Sequence, residues 1–104
     1  MQKIGYITSR DKEEAKQIGE RLIKEQLVAC VNYLGEIETT YWWNKQIQND
    51  DEYSFIIKTN EENVDEIIEK VKNLHSYENP CIVFVDIDSG SEKYLQWIDD
   101  YTKN

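Results

Sequence analysis

Residues 39–46 read TTYWWNKQ and place two adjacent tryptophans just before a candidate two-residue turn at Asn44-Lys45. Neighbouring side chains of a β-strand point to opposite faces of its sheet. If this stretch is a strand, Trp42 and Trp43 therefore face opposite sides, and only one of them can enter the core of its own domain. The stretch predicts one strand of a β-hairpin with a large apolar side chain on each face.

The sequence on both sides of this turn continues the hairpin. Upstream, LVACVNYLG (27–35) and EIETTYWW (36–43) are rich in residues that favour strands, and a bend or bulge at Gly35 joins them into one long strand. Downstream, EYSFIIKT (52–59) is the predicted return strand. The region is therefore predicted to form a single long hairpin.

Two more strands and three helices are predicted around the hairpin. They are the strands QKIGYIT (2–8) and CIVFVDI (81–87), the helices at 11–26 and 60–75, and a closing helix within SGSEKYLQWIDDYT (89–102). The order β-α-β-β-α-β followed by a helix is typical of the ferredoxin-like α+β fold. We predict a single domain over residues 1–104, with both main helices on one face of an antiparallel sheet.

Local signals define the ends and the apolar faces of these helices. Asp11 with Glu14 three residues on is the predicted capping pair of the first helix, with Ser9 as the alternative cap. The closing helix has a predicted buried stripe at helical spacing. The stripe consists of Tyr94, Leu95, Ile98 and Tyr101.

Both faces of the predicted sheet are apolar. In the last strand, Val83 and Val85 point one way, and Ile82 and Phe84 point the other. The two main helices can cover only one face, and an apolar face left open is the kind of patch that marks an interface. We predict that another copy of the chain covers the open face. The alternative is that the closing helix folds across it.

The acidic composition excludes several classes of partner. The chain has 21 acidic and 12 basic residues and a formal net charge of −9, which argues against binding to nucleic acid or to an anionic membrane.

The N-terminal stretch MQKIGYITSRDKEE has no apolar segment of a signal peptide, so we predict a cytoplasmic protein. Cys30 and Cys81 lack CxxC spacing and are predicted to be reduced, buried thiols. They are predicted to lie too far apart in the sheet for a disulfide.

Five short motifs occur in order along the chain. They are ACVN (29–32), YWW (41–43), IIKT (56–59), HSYENP (75–80) and YLQWI (94–98). Together they resemble the CutA family, the divalent-cation tolerance proteins, over about residues 3 to 101. The resemblance implies a ferredoxin-like subunit in a tight homotrimer, similar in architecture to the PII signalling proteins, with the long hairpin strand reaching a neighbouring subunit.

The resemblance also suggests where subunits meet and where this chain departs from its family. Tyr41, Trp42 and Trp43 are the predicted trimer interface. The family motif usually reads His-Pro-Tyr-Glu, and Ser76 here replaces the proline. Some bacterial members carry a metal-binding cysteine at the end of the first strand, where this chain has Ile7. The turn after YWW also lacks the glycine that is often found there.

The candidate metal ligands are His75, the only histidine, and Glu78. Imidazole is a common ligand of copper and zinc, so an N/O site for a divalent metal such as Cu²⁺ is one hypothesis, although no cofactor is required. A transition metal needs three or four ligands, so one histidine per chain suffices only if a trimer gathers them. The favoured alternative is that His75 closes the second helix and interacts with its dipole.

A second candidate site surrounds Lys58. The IIKT motif implies that Lys58 faces a cleft between subunits near Tyr77, Glu78 and Trp43. A lysine there is equally consistent with a small-ligand site and with a structural ion pair.

No catalytic motif accompanies these residues. The sequence lacks a glycine-rich phosphate loop, an HExxH motif and a recognisable Ser/His/Asp set, and we do not predict an enzyme. The predicted function is a homotrimeric binding protein for divalent cations, with copper as a candidate, in metal tolerance or homeostasis. The alternative is a PII-like small-ligand module or a trimeric scaffold that anchors a partner.

Overall fold

A computed structural model describes residues 1–103 as one antiparallel sheet of four strands with three α-helices. The strands are β1 (Gln2–Ser9), β2 (Cys30–Trp43), β3 (Gln46–Asn60) and β4 (Ile82–Asp86), and the helices are α1 (Lys12–Lys24), α2 (Val64–Leu74) and α3 (Glu92–Asp100). A short 3-10 turn, Glu61–Asn63, precedes α2. The predicted ferredoxin-like α+β architecture with an additional C-terminal helix is confirmed.

The strand order β2-β3-β1-β4 puts β2 and β4 at opposite edges of the sheet. Cys30 begins β2 and Cys81 precedes β4, so the two thiols lie at opposite edges and both are free, as predicted. Their predicted burial is wrong for Cys81, which is exposed, while Cys30 is half-buried. Cys81 immediately precedes β4 and is not part of its hydrogen-bonded pairing with β1. Because β4 is an edge strand, the side chain of Cys81 is left uncovered.

One hydrophobic core lies between the sheet and the two main helices. From the sheet, Ile7, Phe55 and Ile57 contribute fully buried side chains, and Ile82 and Phe84 of β4 pack against them. The helices contribute a second set to the same core, namely Ala15, Ile18 and Leu22 of α1 and Ile67 and Val71 of α2. Both helices therefore cover the same face of the sheet.

The hairpin is longer than predicted and extends beyond the rest of the sheet. β3 starts at Gln46 and not at residue 52, and β2 pairs with it from Trp43↔Gln46 to Cys30↔Lys58. β1 pairs only with residues 53–60 of β3, so residues 36–52 form a two-stranded arm. The molecule measures 45 × 25 × 22 Å as a result. The polar run QIQNDD has low strand propensity, but its pairing with the aromatic strand decides its conformation.

Two backbone features shape this arm. Asn44 and Lys45 have φ values of 51° and 62°, the positive pair expected of a type I′ hairpin turn, which confirms the predicted turn. Gly35 has a φ of 136°, and the register shifts between Tyr33 and Gly35, which confirms the predicted bulge. The extra residue, Leu34, changes which positions of β2 face each side of the sheet.

Helix α3 covers only one end of the open sheet face. Lys58 of β3 donates a hydrogen bond to the Tyr94 hydroxyl at 3.1 Å, which places α3 on the side opposite the core. Val83 and Val85 on the same face remain 53% and 61% exposed. Coverage of this face by the closing helix is therefore partial.

The predicted buried stripe of α3 is correct only at its centre. Ile98 is fully buried and Leu95 is half-buried, whereas Tyr94 and Tyr101 are exposed. The rings of both tyrosines lie beside that of Trp97 in tilted arrangements, with centroids 5.4 Å (Tyr94) and 5.6 Å (Tyr101) from its centroid. A short helix on an open face buries one row of side chains, so the outer positions of the stripe stay in solvent.

Within residues 1–103, no helix has the length and apolar character needed to cross a membrane.

Candidate functional site

A cleft of about 410 Å³ lies where the arm leaves the sheet. One wall is the arm and the other is the loop between α2 and β4. The residues that give the cleft its chemistry are three aromatics, Tyr41, Trp43 and Tyr77, and three acids, Asp50, Glu52 and Glu78. The cleft therefore combines apolar rings with negative charge.

Strand alternation explains which arm residues enter the cleft. Thr39, Tyr41 and Trp43 share one face of β2, and Asp50 is the cross-strand partner of Thr39. Trp42 points to the opposite face and is 70% exposed. Before the bulge at Gly35, the odd-numbered residues of β2 face the core. The extra residue of the bulge reverses this alternation, so the odd-numbered residues of the arm face the open side of the sheet.

Two phenol–carboxylate hydrogen bonds fix the aromatic rings. The Tyr41 hydroxyl donates to Asp50, and this bond raises the pKa of Tyr41. Burial raises the pKa of Tyr77 most strongly, and its hydrogen bond to Glu52 raises it further. Both tyrosines are therefore neutral donors at physiological pH.

The side chain of His75 lies fully buried beneath this loop, and His75 is the C-cap residue of α2. The Tyr77 backbone N–H donates to His75 Nδ1 at 3.0 Å, so Nε2 carries the ring proton and donates to the Thr8 carbonyl at 2.8 Å. Both ring nitrogens are thus engaged. The predicted role in closing α2 agrees with this position, and a metal ion at His75 would have to displace one of the two hydrogen bonds.

Glu14 connects the start of α1 to the same loop. Its two carboxylate oxygens accept from the backbone N–H groups of Arg10 at 2.9 Å and Ser76 at 2.8 Å. Burial acts to raise the pKa of Glu14, but the hydrogen bonds from Arg10 and Ser76 outweigh it and hold the pKa below its ordinary value. The predicted cap is confirmed for Asp11, whose side chain accepts from the Glu14 N–H at 2.9 Å.

Lys58 does not join the other predicted cleft residues within one chain. It pairs across the sheet with Ile4 and Cys30, whereas the cleft lies beside Thr8, four residues or about 13 Å further along β1. Its ammonium group lies 5.3 Å from the centre of the Tyr94 ring. A cleft that contains Lys58 together with Tyr77 and Trp43 would need two subunits, and stays a prediction.

The predicted metal ligands are likewise separate. Glu78 lines the cleft, while His75 is buried under the loop. Among residues 1–103, no three His, Cys, Asp or Glu side chains form a group that holds a metal ion. A site with His75 and Glu78 stays a prediction that requires ligands from more than one chain.

Sequence reasoning missed Glu14, Asp50 and Glu52 as parts of the site. Asp50 belongs to the polar run QIQNDD (46–51), to which no strand was assigned, and Glu52 was predicted only as the first residue of the return strand. Extending the hairpin register from the Asn44-Lys45 turn would have placed Asp50 opposite Thr39. Nothing local signals the contact between Glu14 and Ser76, which are 62 positions apart.

Comparison with known proteins identifies the family to which this fold and site belong. Residues 3–101 match the family described as CutA1 divalent ion tolerance protein. The chain belongs to the CutA1 family. Its relative from Pyrococcus horikoshii, a divalent-cation tolerance protein CutA, is 41% identical over 100 residues, which cover 96% of this chain and 97% of that protein.

Solved CutA1 structures share the complete fold. The divalent cation tolerance protein of Thermus thermophilus superimposes with a TM-score of 0.97 at 33% identity, covering 99% of this chain and 100% of the other. The periplasmic CutA of Archaeoglobus fulgidus gives a TM-score of 0.95 at 38% identity with the same coverage. A relative from rice is a chloroplastic CutA. Since CutA1 proteins differ in compartment, the cytoplasmic location of this chain stays a prediction.

Proposed function

We propose that this CutA1 protein is a homotrimer that binds divalent cations in metal tolerance, with Cu²⁺ as the first candidate. The observation that carries the metal-binding proposal is the uncompensated negative charge of the cleft. Asp50, Glu52 and Glu78 line it, and none of the ion pairs formed by residues 1–103 involves them. The family's divalent-cation tolerance supports the same proposal.

Assembly is supported by the apolar surface that one chain leaves uncovered. Val83 and Val85 form part of the open face, and Trp42 and Ile47 are cross-strand partners on the outer side of the arm, 70% and 60% exposed. Monomeric soluble proteins seldom expose apolar side chains in such groups. A PII-like trimer would bury both surfaces, and the predicted interface at Tyr41, Trp42 and Trp43 lies on the arm that projects from each subunit.

A trimer would also supply the additional metal ligands that a single chain lacks. Cu²⁺ favours imidazole and carboxylate ligands, and Glu78 is a carboxylate without an ion-pair partner in the described part of the chain. Symmetry-related subunits would bring further oxygen donors to the mouth of the cleft. His75 can join such a site only if its hydrogen bond to Tyr77 or Thr8 opens.

Calorimetric titration with Cu²⁺ tests the metal function. Wild-type protein should saturate at a fixed ratio per chain, and Glu78→Gln should bind about tenfold more weakly because a charged ligand becomes neutral. Glu38→Gln is the matched control, since Glu38 is an exposed acid on the other face of the arm. His75→Ala tests the predicted imidazole ligand. Equal isotherms for wild type and all three variants would contradict a specific site.

A second candidate function is a PII-like module that binds a small organic ligand in the cleft. The supporting observation is that a cleft of about 410 Å³ with three aromatic rings is of the size and character of small-molecule sites. A ligand that binds only the folded state raises the unfolding temperature with concentration, so thermal-shift measurements distinguish this function from a purely structural scaffold. Neither function includes a chemical step.

A further inference from the structure

The chain that follows α3 crosses from the open side of the sheet to the side that carries α1 and α2. Helix α3 ends at Asp100, and residues 101–103, here called the strap, continue to the end of α1 and to the 3-10 turn before α2. The Lys103 backbone N–H donates to the Gln26 carbonyl at 2.8 Å, and the Lys103 carbonyl accepts from Asn63 Nδ2 at 3.0 Å. The strap therefore joins the two layers that flank the sheet.

Buried polar contacts hold the strap in place. The Thr102 side chain donates to the Ile98 carbonyl at 3.0 Å and accepts from Asn60 Nδ2 at 3.3 Å, and Thr102 is only 7% exposed. Breaking buried hydrogen bonds is costly, whereas the exposed ion pair between Lys103 and Glu66 contributes little. The strap is thus attached through specific contacts of its backbone and of one buried hydroxyl.

The end of α1 is shaped to receive the strap. Gln26 has a φ of 56°, a left-handed conformation that side chains other than glycine adopt at a cost. It ends α1 in a Schellman turn, in which the Leu27 N–H donates to the Leu22 carbonyl at 3.0 Å. The turn leaves the Gln26 carbonyl outside the helical hydrogen-bond pattern, where it accepts from Lys103.

Helix α3 has few apolar contacts of its own. Ile98 is its one buried residue, and it lies outside the hydrophobic core that α1 and α2 form with the sheet. Its other contacts with the sheet are polar, from Gln2 to Asp99 at 2.8 Å and from Lys58 to Tyr94 at 3.1 Å. Segments with few buried apolar contacts open at a lower free energy than the core.

We propose that the strap is a latch for α3. Residues 92–103 open and close as one unit while the sheet, α1 and α2 stay folded, and the strap contacts set the free energy of opening. Opening separates Tyr94 from Lys58, so the latch controls that end of the sheet. The inference goes beyond the proposed function and does not require the cleft to be free. The strap lies near the start of β2, about 20 Å along that strand from residue 36, where the arm begins.

Amide hydrogen exchange at low denaturant concentrations tests the latch in the wild-type protein, because it measures the free energy of each opening separately. The α3 amides and the Lys103 amide, whose partner is Gln26, should have protection factors that agree within about threefold. Both should lie at least about tenfold below those of the β1 and β3 amides at Ile7 and Ile57. Protection of α3 equal to that of the core, or a Lys103 amide that exchanges independently of α3, overturns the inference.

Two threonine-to-valine variants distinguish the latch from a general loss of stability. Each removes one buried hydroxyl, Thr102→Val in the strap and Thr59→Val in the sheet, where the hydroxyl donates to the Leu27 carbonyl at 2.7 Å. Thr102→Val should lower the protection of α3 and of the core by the same factor, about fivefold, because both openings break its contacts. Thr59→Val should lower core protection about fivefold and leave α3 unchanged. A loss of α3 protection in Thr59→Val, or none in Thr102→Val, overturns the inference.

The chain concentration separates this inference from the proposed assembly. In a homotrimer, global unfolding includes dissociation, so the protection of the core should rise with chain concentration and that of α3 should not. If α3 protection rises as steeply as that of the core, α3 opens only in dissociated subunits, which overturns the latch. Light scattering on the same samples tests the homotrimer itself. A single-chain mass contradicts the assembly alone, and the comparison with Thr59→Val then still decides the latch.

Discussion

Glu14 shows how a single buried carboxylate connects distant parts of this chain. The spacing of Asp11 and Glu14 predicted a cap, and the Asp11 cap is present. The sequence could not predict that Glu14 also accepts from Ser76, because that contact depends on how α2 returns the chain to the start of α1. Proline has no N–H to donate, so a chain with the His-Pro-Tyr-Glu motif that the resemblance implies for the family would lack this contact.

Glu14→Gln should lower the free energy of unfolding by about 1–3 kcal/mol at neutral pH, because two N–H groups lose a charged acceptor. The folded state lowers the pKa of Glu14, so its stabilisation is present above the ordinary carboxyl range and is lost as pH falls through the lowered pKa. Thermal unfolding at one chain concentration, at about pH 7 and about pH 3, should show that the deficit of the variant shrinks in acid.

Ser76→Pro is the second variant for this contact. It removes the N–H that donates to Glu14, and the extended backbone of His75, with φ −78° and ψ 145°, suits a residue that precedes proline. Ser76→Ala keeps the N–H and removes only the hydroxyl, which also lowers the pKa of Glu14, so it separates the side-chain contribution from that of the backbone N–H. Ser76→Pro should lose part of the same acid-sensitive stability, and Ser76→Ala should stay closer to wild type. An equal deficit of Glu14→Gln at both pH values would show that the carboxylate charge does not matter here.

At the scale of elements, the sequence predicted β2, the aromatic strand of the hairpin, well and missed the first half of β3, its polar strand. The bulge at Gly35 and the turn at Asn44-Lys45 have local sequence signals, and both are present. The first half of β3 has none, since QIQNDD is polar and becomes a strand only through pairing with β2. The arm therefore depends on its turn, because no third strand supports residues 36–52.

Lys45→Gly should stabilise the arm by about 1 kcal/mol, since Lys45 has a φ of 62° and a side chain in the left-handed region is strained. Asn44 tolerates the same region better, so the gain should be specific to position 45. Lys45→Ala keeps the strain and is the control for loss of the lysine charge. Hydrogen exchange of the arm amides should slow in Lys45→Gly and not in Lys45→Ala. Faster exchange in the glycine variant would contradict this account of the turn.

At the scale of the whole molecule, the two faces of the sheet are the feature that the sequence predicted most directly. Alternation in β4 separated Ile82 and Phe84, which pack against the core, from Val83 and Val85, which remain exposed. The position of α3 could not be derived in the same way, because its partners on the sheet are polar. Gln2 donates to Asp99 at 2.8 Å, and Lys58 to Tyr94. Such contacts leave no periodic pattern in the sequence.

If another copy of the chain covers the open face, a charge placed there should prevent assembly. Val85→Asp adds a carboxylate to a side chain that is 61% exposed in the single chain, and Ile23→Asp adds the same charge to an exposed position of α1. Burying an unpaired charge costs several kcal/mol, whereas an exposed one costs little. Light scattering should give three times the 12.4 kDa chain mass for wild type and Ile23→Asp, and a smaller mass for Val85→Asp. A wild-type protein that stays a folded single chain at micromolar concentration would leave Val83 and Val85 in water. That result would contradict a homotrimer formed through the open face.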